Sequence, residues 1–326
     1  MRRLEVVMEH WPIAGEFRIS RGAKREAVVV VATIRDGSNA GRGECTPYAR
    51  YGETVDGVLE AILSVQPDIA SGLDRQDLLD RLPAGAARNA IDCALLDLEA
   101  RQTGRSVSAL LGMPVPERVL TCYTLSLAEP ADMARQAEAQ WRLPLLKLKL
   151  GAPGDADRMR EVRKARPEAR LVADANEGWS ETELEHLLAV AAECGFETIE
   201  QPLPAGADGR LGRIVRPLAV TADESVHVAD DLEALRDRYD GVNLKLDKAG
   251  GLTAAVEAAH AAISAGLDIM VGSMVATSLA MAPALHLAGV ARWVDLDGPL
   301  LLARDRSPHL VYEGAWITPA SRDLWG

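Results

Sequence analysis

Three acidic residues end successive apolar runs in the second half of the chain: Asp174 in VADAN, Glu200 in IEQP and Asp223 in TADES. If each run is a strand of one barrel, the three carboxylates converge at its mouth. Three oxygen ligands favour a hard divalent cation, and Mg²⁺ suits a site that keeps positions open for water and substrate. Zinc is disfavoured, because the six histidines form no HxH or HExxH pattern. One acidic residue at such a turn often only caps the next helix. Three at this spacing point to a shared ligand.

Lysines flank the acidic set. In LLKLKLG the two-residue period of a strand points Lys147 and Lys149 one way, and Leu146, Leu148 and Leu150 the other. Leucines packed outward on helices put both ammonium groups inside the barrel. Lys245, in VNLKLDKAGG, ends a strand four places on from that of Lys149, half a turn around an eight-stranded barrel. Opposed lysines with a cation between them suit removal of a proton from one face of a carbon and its return to the other. An ammonium with an ordinary pKa of about 10.4 is a poor base at neutral pH. Lys147 beside Lys149, together with the metal, is expected to supply the like charge that lowers it. The cation would also hold a substrate carboxylate and stabilise the charge that develops when the adjacent carbon loses its proton.

These residues belong to a longer series. Lys149, Asp174, Glu200, Asp223, Lys245, Ser273 and the pair Asp295/Asp297 follow one another at intervals of 25, 26, 23, 22, 28 and 22 residues. A strand, a helix and two short loops consume about that length. Eight strands are expected to end near Ser126, Lys149, Asp174, Glu200, Asp223, Lys245, Gly272 and Asp297. Seven helices would connect them, among them Ala131–Trp141, Glu181–Cys194 and Ala254–Ala265. The predicted fold is therefore α/β, a modified (β/α)8-type barrel of (β/α)7β form. A doubly wound open sheet is the structural alternative, but no Gly-rich phosphate turn follows a first strand.

The barrel would occupy residues 113–300. Residues 1–112 lack the charged beat and read as an α+β capping domain, with strands at Arg3–His10 and Glu26–Arg35 and a turn at Asp36-Gly37. Its helices are expected near Val55–Ser64 and Ala84–Thr103. Two polar stretches, EFRISRGAKRE at 16–26 and GRGECTPYARYGE at 41–53, read as loops leaning over the neighbouring site. Residues 301–326 no longer look like a barrel unit and are expected to return to the capping domain.

Composition narrows the function. With 326 residues, 48% of them hydrophobic, the chain can bury a large core. A net charge of −12 argues against nucleic acid and anionic membranes as partners, since both require a basic face. No apolar run approaches the roughly 20 residues of a membrane span, and Glu5, Glu9 and His10 interrupt the N-terminal apolar residues that a signal peptide would need. Cys45, Cys93, Cys122 and Cys194 show no CxxC spacing and read as free thiols of a reducing, cytoplasmic compartment.

The ordered set LKLKL, DANEGW, IEQPLP, ADES, NLKLDKAGG, GSM and DLDGP resembles the enolase superfamily, muconate-lactonizing subgroup, and within it the dipeptide epimerases. ECTPYARYGE and LPAGAARNAIDCALLDLEA resemble the capping domain of L-Ala-D/L-Glu epimerases, so the resemblance covers nearly the whole chain. Lysine bases with Mg²⁺ are a known pattern of that superfamily. The resemblance implies one Mg²⁺ per active site on Asp174, Glu200 and Asp223, and Lys149 and Lys245 as the acid/base pair. It implies Asp295 and Asp297 as the pair that holds the free ammonium of a dipeptide, with Ser273 and Met274 shaping the site and Lys147 beside it. Arg21, Lys24 and Arg25 fall where related epimerases contact the side chain being inverted, and a basic cluster in an acidic protein suggests glutamate. Ala276 stands where some of these epimerases carry an acidic residue.

The implied activity is the Mg²⁺-dependent interconversion of L-Ala-D-Glu and L-Ala-L-Glu by two-base proton transfer through a metal-stabilised enolate, in murein peptide recycling. Three rivals stand beside it. One is a dipeptide epimerase of different side-chain preference. Another is a cycloisomerase or β-elimination enzyme, whose substrates carry no ammonium for Asp295/Asp297 to hold. The third is a catalytically silent metabolite-binding protein, which would not need bases on two faces of one carbon. The expected partner is a small dipeptide, and a homo-oligomer is left open.

Overall fold

A computed structural model describes all 326 residues. Its first element is an antiparallel sheet of β1 (Arg3–Ile19), β2 (Gly22–Asp36) and β3 (Asn39–Cys45). The apolar run of β2 is unbroken because both of its faces are covered. Val29 and Val31 join the core shared with the barrel, while Val30, Ala32 and Ile34 pack with the helices Val55–Ser64 and Ala86–Thr103. The longer of these helices is wedged between the two cores and buried on nearly every side. Gly41 and Gly43 of β3 let it approach, since a Cβ on either would sit 2.1 Å from a carbonyl oxygen of that helix.

Of the two stretches expected to be loops, 16–26 is strand apart from its turn, whereas 41–53 is strand only over 41–45 and a loop with one 3-10 turn, Ala49–Tyr51, beyond it. β1 and β2 run on past their apolar parts, pairing Phe17 with Lys24, Arg18 with Ala23 and Ile19 with Gly22, so the hairpin turns only at Ser20-Arg21. Residues 41–45 likewise belong to β3, paired with β2. Polar composition misled here because the hairpin tip has no core behind it. Its backbone is satisfied by cross-strand hydrogen bonds, which do not depend on side-chain polarity.

Eight parallel strands follow in sequential order: Tyr123–Leu125, Leu145–Lys149, Arg170–Asp174, Phe196–Glu200, Ala219–Ala222, Gly241–Lys245, Asp268–Gly272 and Trp293–Asp295. The first and eighth are tied by Cys122 N to Val294 O (2.8 Å) and Leu296 N to Thr121 Oγ1 (2.8 Å), which brings the sheet close to closure. Outward-facing Leu146, Leu148, Leu150, Leu171, Ala173 and Ile199 pack in the large core. Inward-facing residues form layers. Cys122, Leu145, Val172, Met270 and Trp293 plug the base, Lys147, Thr198, Thr221 and Asn243 lie above them, and the charged strand ends form the mouth.

Helical connections link most strands, as at Pro130–Ala139, Asp155–Ala165, Glu181–Glu193 and Leu252–Ser264. The expectation of seven full helices fails in two places. After the fourth strand there is only a 3-10 turn, Gly209–Arg213, and before the sixth only a 3-10 turn, Ala229–Asp231, running into one α-turn, Leu232–Leu235. Pro204, Gly206, Gly209, Gly212 and Pro217 interrupt the first of these segments. Near the C-terminus, Trp316–Ile317 pairs with Val119–Leu120. The last residues reach the capping sheet, with the Trp325 indole donating to Arg42 O (2.9 Å) and Gly326 N to Asp97 Oδ1 (2.9 Å). All four cysteines are free and buried. No helix is long and apolar enough to cross a membrane.

Candidate active site

The strand ends gather the predicted residues. Asp174, Glu200 and Asp223 sit on the third, fourth and fifth strand ends, buried, and offer oxygens all within 4.8 Å of one another. Lys149 Nζ donates to Asp174 Oδ2 (2.6 Å), and Lys245 Nζ to Asp223 Oδ2 (2.5 Å). The lysines thus reach the acidic group from the second and sixth strands, through different carboxylates. Lys147 Nζ lies one layer deeper, 2.6 Å from both Glu200 Oε2 and Asp295 Oδ2. Asp297 Oδ2 accepts the Thr124 amide at 2.6 Å.

Two of the buried lysines, Lys147 and Lys245, are held up by neighbouring carboxylates. Burial pulls Lys147 down, but Asp295, Glu200 and Asp174 outweigh it and hold its ammonium well above the ordinary range. Lys245 is likewise raised, as Asp223 and Glu200 overcome burial. Lys147 has two carboxylate oxygens at 2.6 Å, and Lys149 has one at the same distance. The carboxylates divide. Asp223 is held well below its usual value, since Lys245 and Lys248 overcome the effect of burial, and Asp174 is lowered against burial by Lys149 and Lys147. Burial and the adjacent Asp174 push Glu200 up to about 7, and burial with Asp295 does the same for Asp297.

That division fits a cation. Glu200 Oε2 is buried and makes no aligned hydrogen bond despite the nearby Lys147, and burial with the adjacent Asp174 disfavours its charged form, a cost that a bound cation would offset. Three hard oxygen donors on adjacent strand ends match Mg²⁺ chemistry.

Above the strand ends lies a cavity of about 730 Å³ roofed by the β1–β2 hairpin. Lys149, Asp223, Lys245, Ser273, Met274, Asp295 and Asp297 line its floor, while Lys24 and Arg25 line its roof. Arg21 fastens the hairpin tip to the barrel, donating to Asn176 O (2.8 Å) and Glu224 Oε1 (2.7 Å). Arg25 is 82% exposed and faces Glu16. Among the cations lining the cavity, Arg21, Arg25, Arg50, Lys149 and Lys245 all have a carboxylate partner. Lys24 has none, and its ammonium stands 5.3 Å over the Tyr48 ring.

Sequence reasoning missed the residues that brace the site. Lys248 Nζ, buried, donates to Asp223 Oδ1 (2.5 Å) and Asn243 O (3.0 Å), and Asn243 Nδ2 donates to Glu200 Oε1 (2.7 Å). The Gln201 carboxamide accepts from Asp223 N and Ser225 N and donates to Leu203 O, Ser225 Oγ and Tyr239 OH, which locks the fourth strand end to the fifth. Asn176 and Gln201 adopt positive φ (46° and 36°) just after the ligand strands, a strain of about 1–3 kcal/mol each that this bracing must hold. Lys248 stood within DKAGG and Gln201 beside Glu200, but neither spacing nor type marked them.

Fold and site together define an enolase-type barrel with a buried acidic triad and lysines at its mouth. Comparison with known proteins agrees. Residues 1–112 match the mandelate racemase / muconate lactonizing enzyme N-terminal domain, and residues 131–299 match the enolase C-terminal domain-like family. The chain is 44% identical over 314 residues to L-Ala-D/L-Glu epimerase of Escherichia coli (strain K12), covering 96% of this chain and 98% of that protein. It is 41% identical over 300 residues to an N-acetyl-D-glutamate racemase of Pseudoalteromonas sp, covering 91% and 95%. Among solved structures, an enolase family member from Agrobacterium tumefaciens with homology to dipeptide epimerases, holding sodium and L-Ala-L-Glu, superposes over all of both chains with a TM-score of 0.98 at 50% identity. A Methylococcus capsulatus dipeptide epimerase complexed with Mg and L-Arg-D-Lys gives 0.87 at 29% identity, covering 99% and 98%. The chain belongs to the mandelate racemase / muconate lactonizing enzyme family of the enolase superfamily, and it is an isomerase of the epimerase and racemase group.

Proposed function

We propose that the protein is a Mg²⁺-dependent dipeptide epimerase that interconverts L-Ala-D-Glu and L-Ala-L-Glu. The observation that carries this reading is the pair of lysines, Lys149 and Lys245, reaching one buried acidic triad from strands four apart. Asp174, Glu200 and Asp223 would hold the ion, which when bound supplies divalent charge at the substrate α-carboxylate as the neighbouring carbon loses its proton. Lys149 and Lys245 take and return that proton on opposite faces. Asp223 and Asp174 hold them in place, and an ion drawing on the same oxygens loosens that hold. Asp295 and Asp297 face the ammonium of the first residue. Lys24, without a carboxylate partner, meets the γ-carboxylate of glutamate. All three proteins quoted at over 40% identity carry glutamate compounds in their names or bound ligands, which supports that side chain.

The division into a capping domain over 1–112, a barrel over 113–300 and a returning segment over 301–326 serves this chemistry by roofing the barrel mouth with the hairpin. The four free thiols favour a cytoplasmic setting, and a role in murein peptide recycling would follow from the proposed substrate. A second reading, racemisation of an N-acylated glutamate, has one observation in its favour: Asp295 already pairs with Lys147, and Asp297 already accepts the Thr124 amide. Incubation with Mg²⁺ in D₂O decides between them. The proposal expects deuterium at the glutamate α-carbon of L-Ala-L-Glu at a higher kcat/KM than of N-acetyl-L-glutamate. The reverse order, or no exchange in the dipeptide, sinks it.

A further inference from the structure

A second cavity, of about 480 Å³, opens beside the capping sheet and shares no lining residue with the one above the strand ends. Its walls come from three places far apart in sequence: Glu9 and Trp11 of β1, Arg42 of β3, and Arg304, Arg306 and Ser307, which follow the helical turn Gly298–Leu301. His10, also in the wall, faces Glu26 at 3.4 Å. Arg306 is engaged by protein groups: its Nη2 donates to Glu9 Oε2 (2.7 Å) and Glu44 Oε2 (2.6 Å), and its Nε to Thr277 Oγ1 (2.5 Å). The other two arginines are not. Arg304 has neither a hydrogen bond nor an ion-pair partner, and its guanidinium rests 5.5 Å from the centre of the Trp11 ring, with that of Arg306 at 5.1 Å from the same ring. Arg42 Nη2 donates to the carbonyls of Asp323 (3.1 Å) and Leu324 (2.6 Å) but meets no carboxylate. Burial, with Arg306 and Arg101 adding to it against Asp97, holds the Arg42 guanidinium below its ordinary range. Asp97 is itself taken by Arg101 Nε (2.8 Å) and Gly326 N (2.9 Å).

We propose that this cavity binds a compact dianion of the phosphate type, inorganic phosphate or a phosphomonoester. Arg42 and Arg304 are two cations without a carboxylate, and a dianion neutralises both. In a chain of net charge −12 such a pair is not the by-product of a generally basic surface. Glu9, the one acid in the wall, does not oppose an anion with a free charge, because Arg306 and the Trp11 indole (3.0 Å) already hold it. Guanidinium forks arriving from β3 and from the segment after the barrel suit a tetrahedral oxyanion, whose oxygens point in several directions. A planar carboxylate engages one fork at a time. The Ser307 hydroxyl stands in the same wall as a further donor.

Calorimetric titration of the Mg²⁺-loaded protein at low ionic strength compares inorganic phosphate, glucose 6-phosphate, succinate and acetate. Phosphate and glucose 6-phosphate should each bind one site per chain with a Kd below about 1 mM, and acetate about tenfold or more weakly. Arg304→Gln, an exposed position with no bonds to lose, should weaken phosphate about tenfold or more, and Arg42→Gln should do the same. Lys24→Gln, in the other cavity, should leave phosphate unmoved. Absence of phosphate binding overturns the proposal, and so does binding that R304Q leaves unchanged. Phosphate lost in K24Q, or displaced by saturating L-Ala-L-Glu, places the anion above the strand ends and overturns it too. Succinate bound more tightly than phosphate refutes the compact dianion. The R304Q comparison needs no substrate, so it stands whether or not L-Ala-L-Glu is turned over, and α-proton exchange in that variant should match the wild type.

Discussion

Metal binding should release a proton, and the source is Glu200. In the absence of an ion its carboxyl is pushed up to about 7 by burial and by Asp174, so near neutrality it is part protonated. A hard cation binds only the carboxylate form. Apparent Mg²⁺ affinity should therefore level off above pH 8 and fall by roughly tenfold per unit below 7, about 30-fold by pH 5.5, or about 2 kcal/mol. Asp223, held low by Lys245 and Lys248, stays ionised across that window and contributes no slope. Titration of the metal-free protein with MgCl₂ in buffers of different ionisation enthalpy yields both the affinity and the protons released. Close to one proton per ion is expected at pH 6 and almost none at pH 8.5. Glu200→Gln should bind Mg²⁺ weakly at every pH and lose the slope. Affinity that does not change between pH 8.5 and 5.5, or proton uptake on binding, would refute the account of the triad.

Three further outcomes follow from the same geometry. Lys149→Ala and Lys245→Ala should each lower kcat by about 10²–10⁴ while retaining α-proton exchange from opposite epimers, as read by NMR in D₂O; loss of the same epimer's exchange in both variants contradicts the opposed placement. The metal-free protein should be more stable at pH 5.5 than at pH 8. Glu200, Glu224, Asp247 and Asp297 are all raised to about 7 with burial as the first cause, so the folded state binds more protons than the unfolded one between about 4.5 and 7, and stability is lost as pH rises through that window. Urea unfolding at the two pH values reads the difference, and saturating Mg²⁺ should narrow it by about the 2 kcal/mol that Glu200 contributes. Gly43→Ala places a Cβ 2.1 Å from Ala90 O, so thermal melting should show a loss of more than about 3 kcal/mol or failure to fold.

How much of this was legible in the residues themselves is clearest at the strand ends. A period of two fixes which way Lys147 and Lys149 point, and a beat of 22 to 28 residues fixes that Asp174, Glu200, Asp223, Lys245, Asp295 and Asp297 share one mouth. Both are consequences of local geometry, which the chain carries with it wherever it folds. The protonation behaviour of the lysines did not follow, because it depends on which carboxylate each Nζ meets across strands that are far apart in sequence. Lys147 meets Asp295 148 residues away. Gln201, Lys248 and Asn243 were silent for the same reason, as their hydrogen bonds exist only once neighbouring strand ends are in register. The hairpin over 16–26 was hidden because cross-strand pairing of polar residues leaves no apolar periodicity to read. Sequence alone determined which side chains reach the barrel mouth; tertiary structure decided their charge and their roof, since electrostatic coupling falls with distance in space and takes no account of distance along the chain.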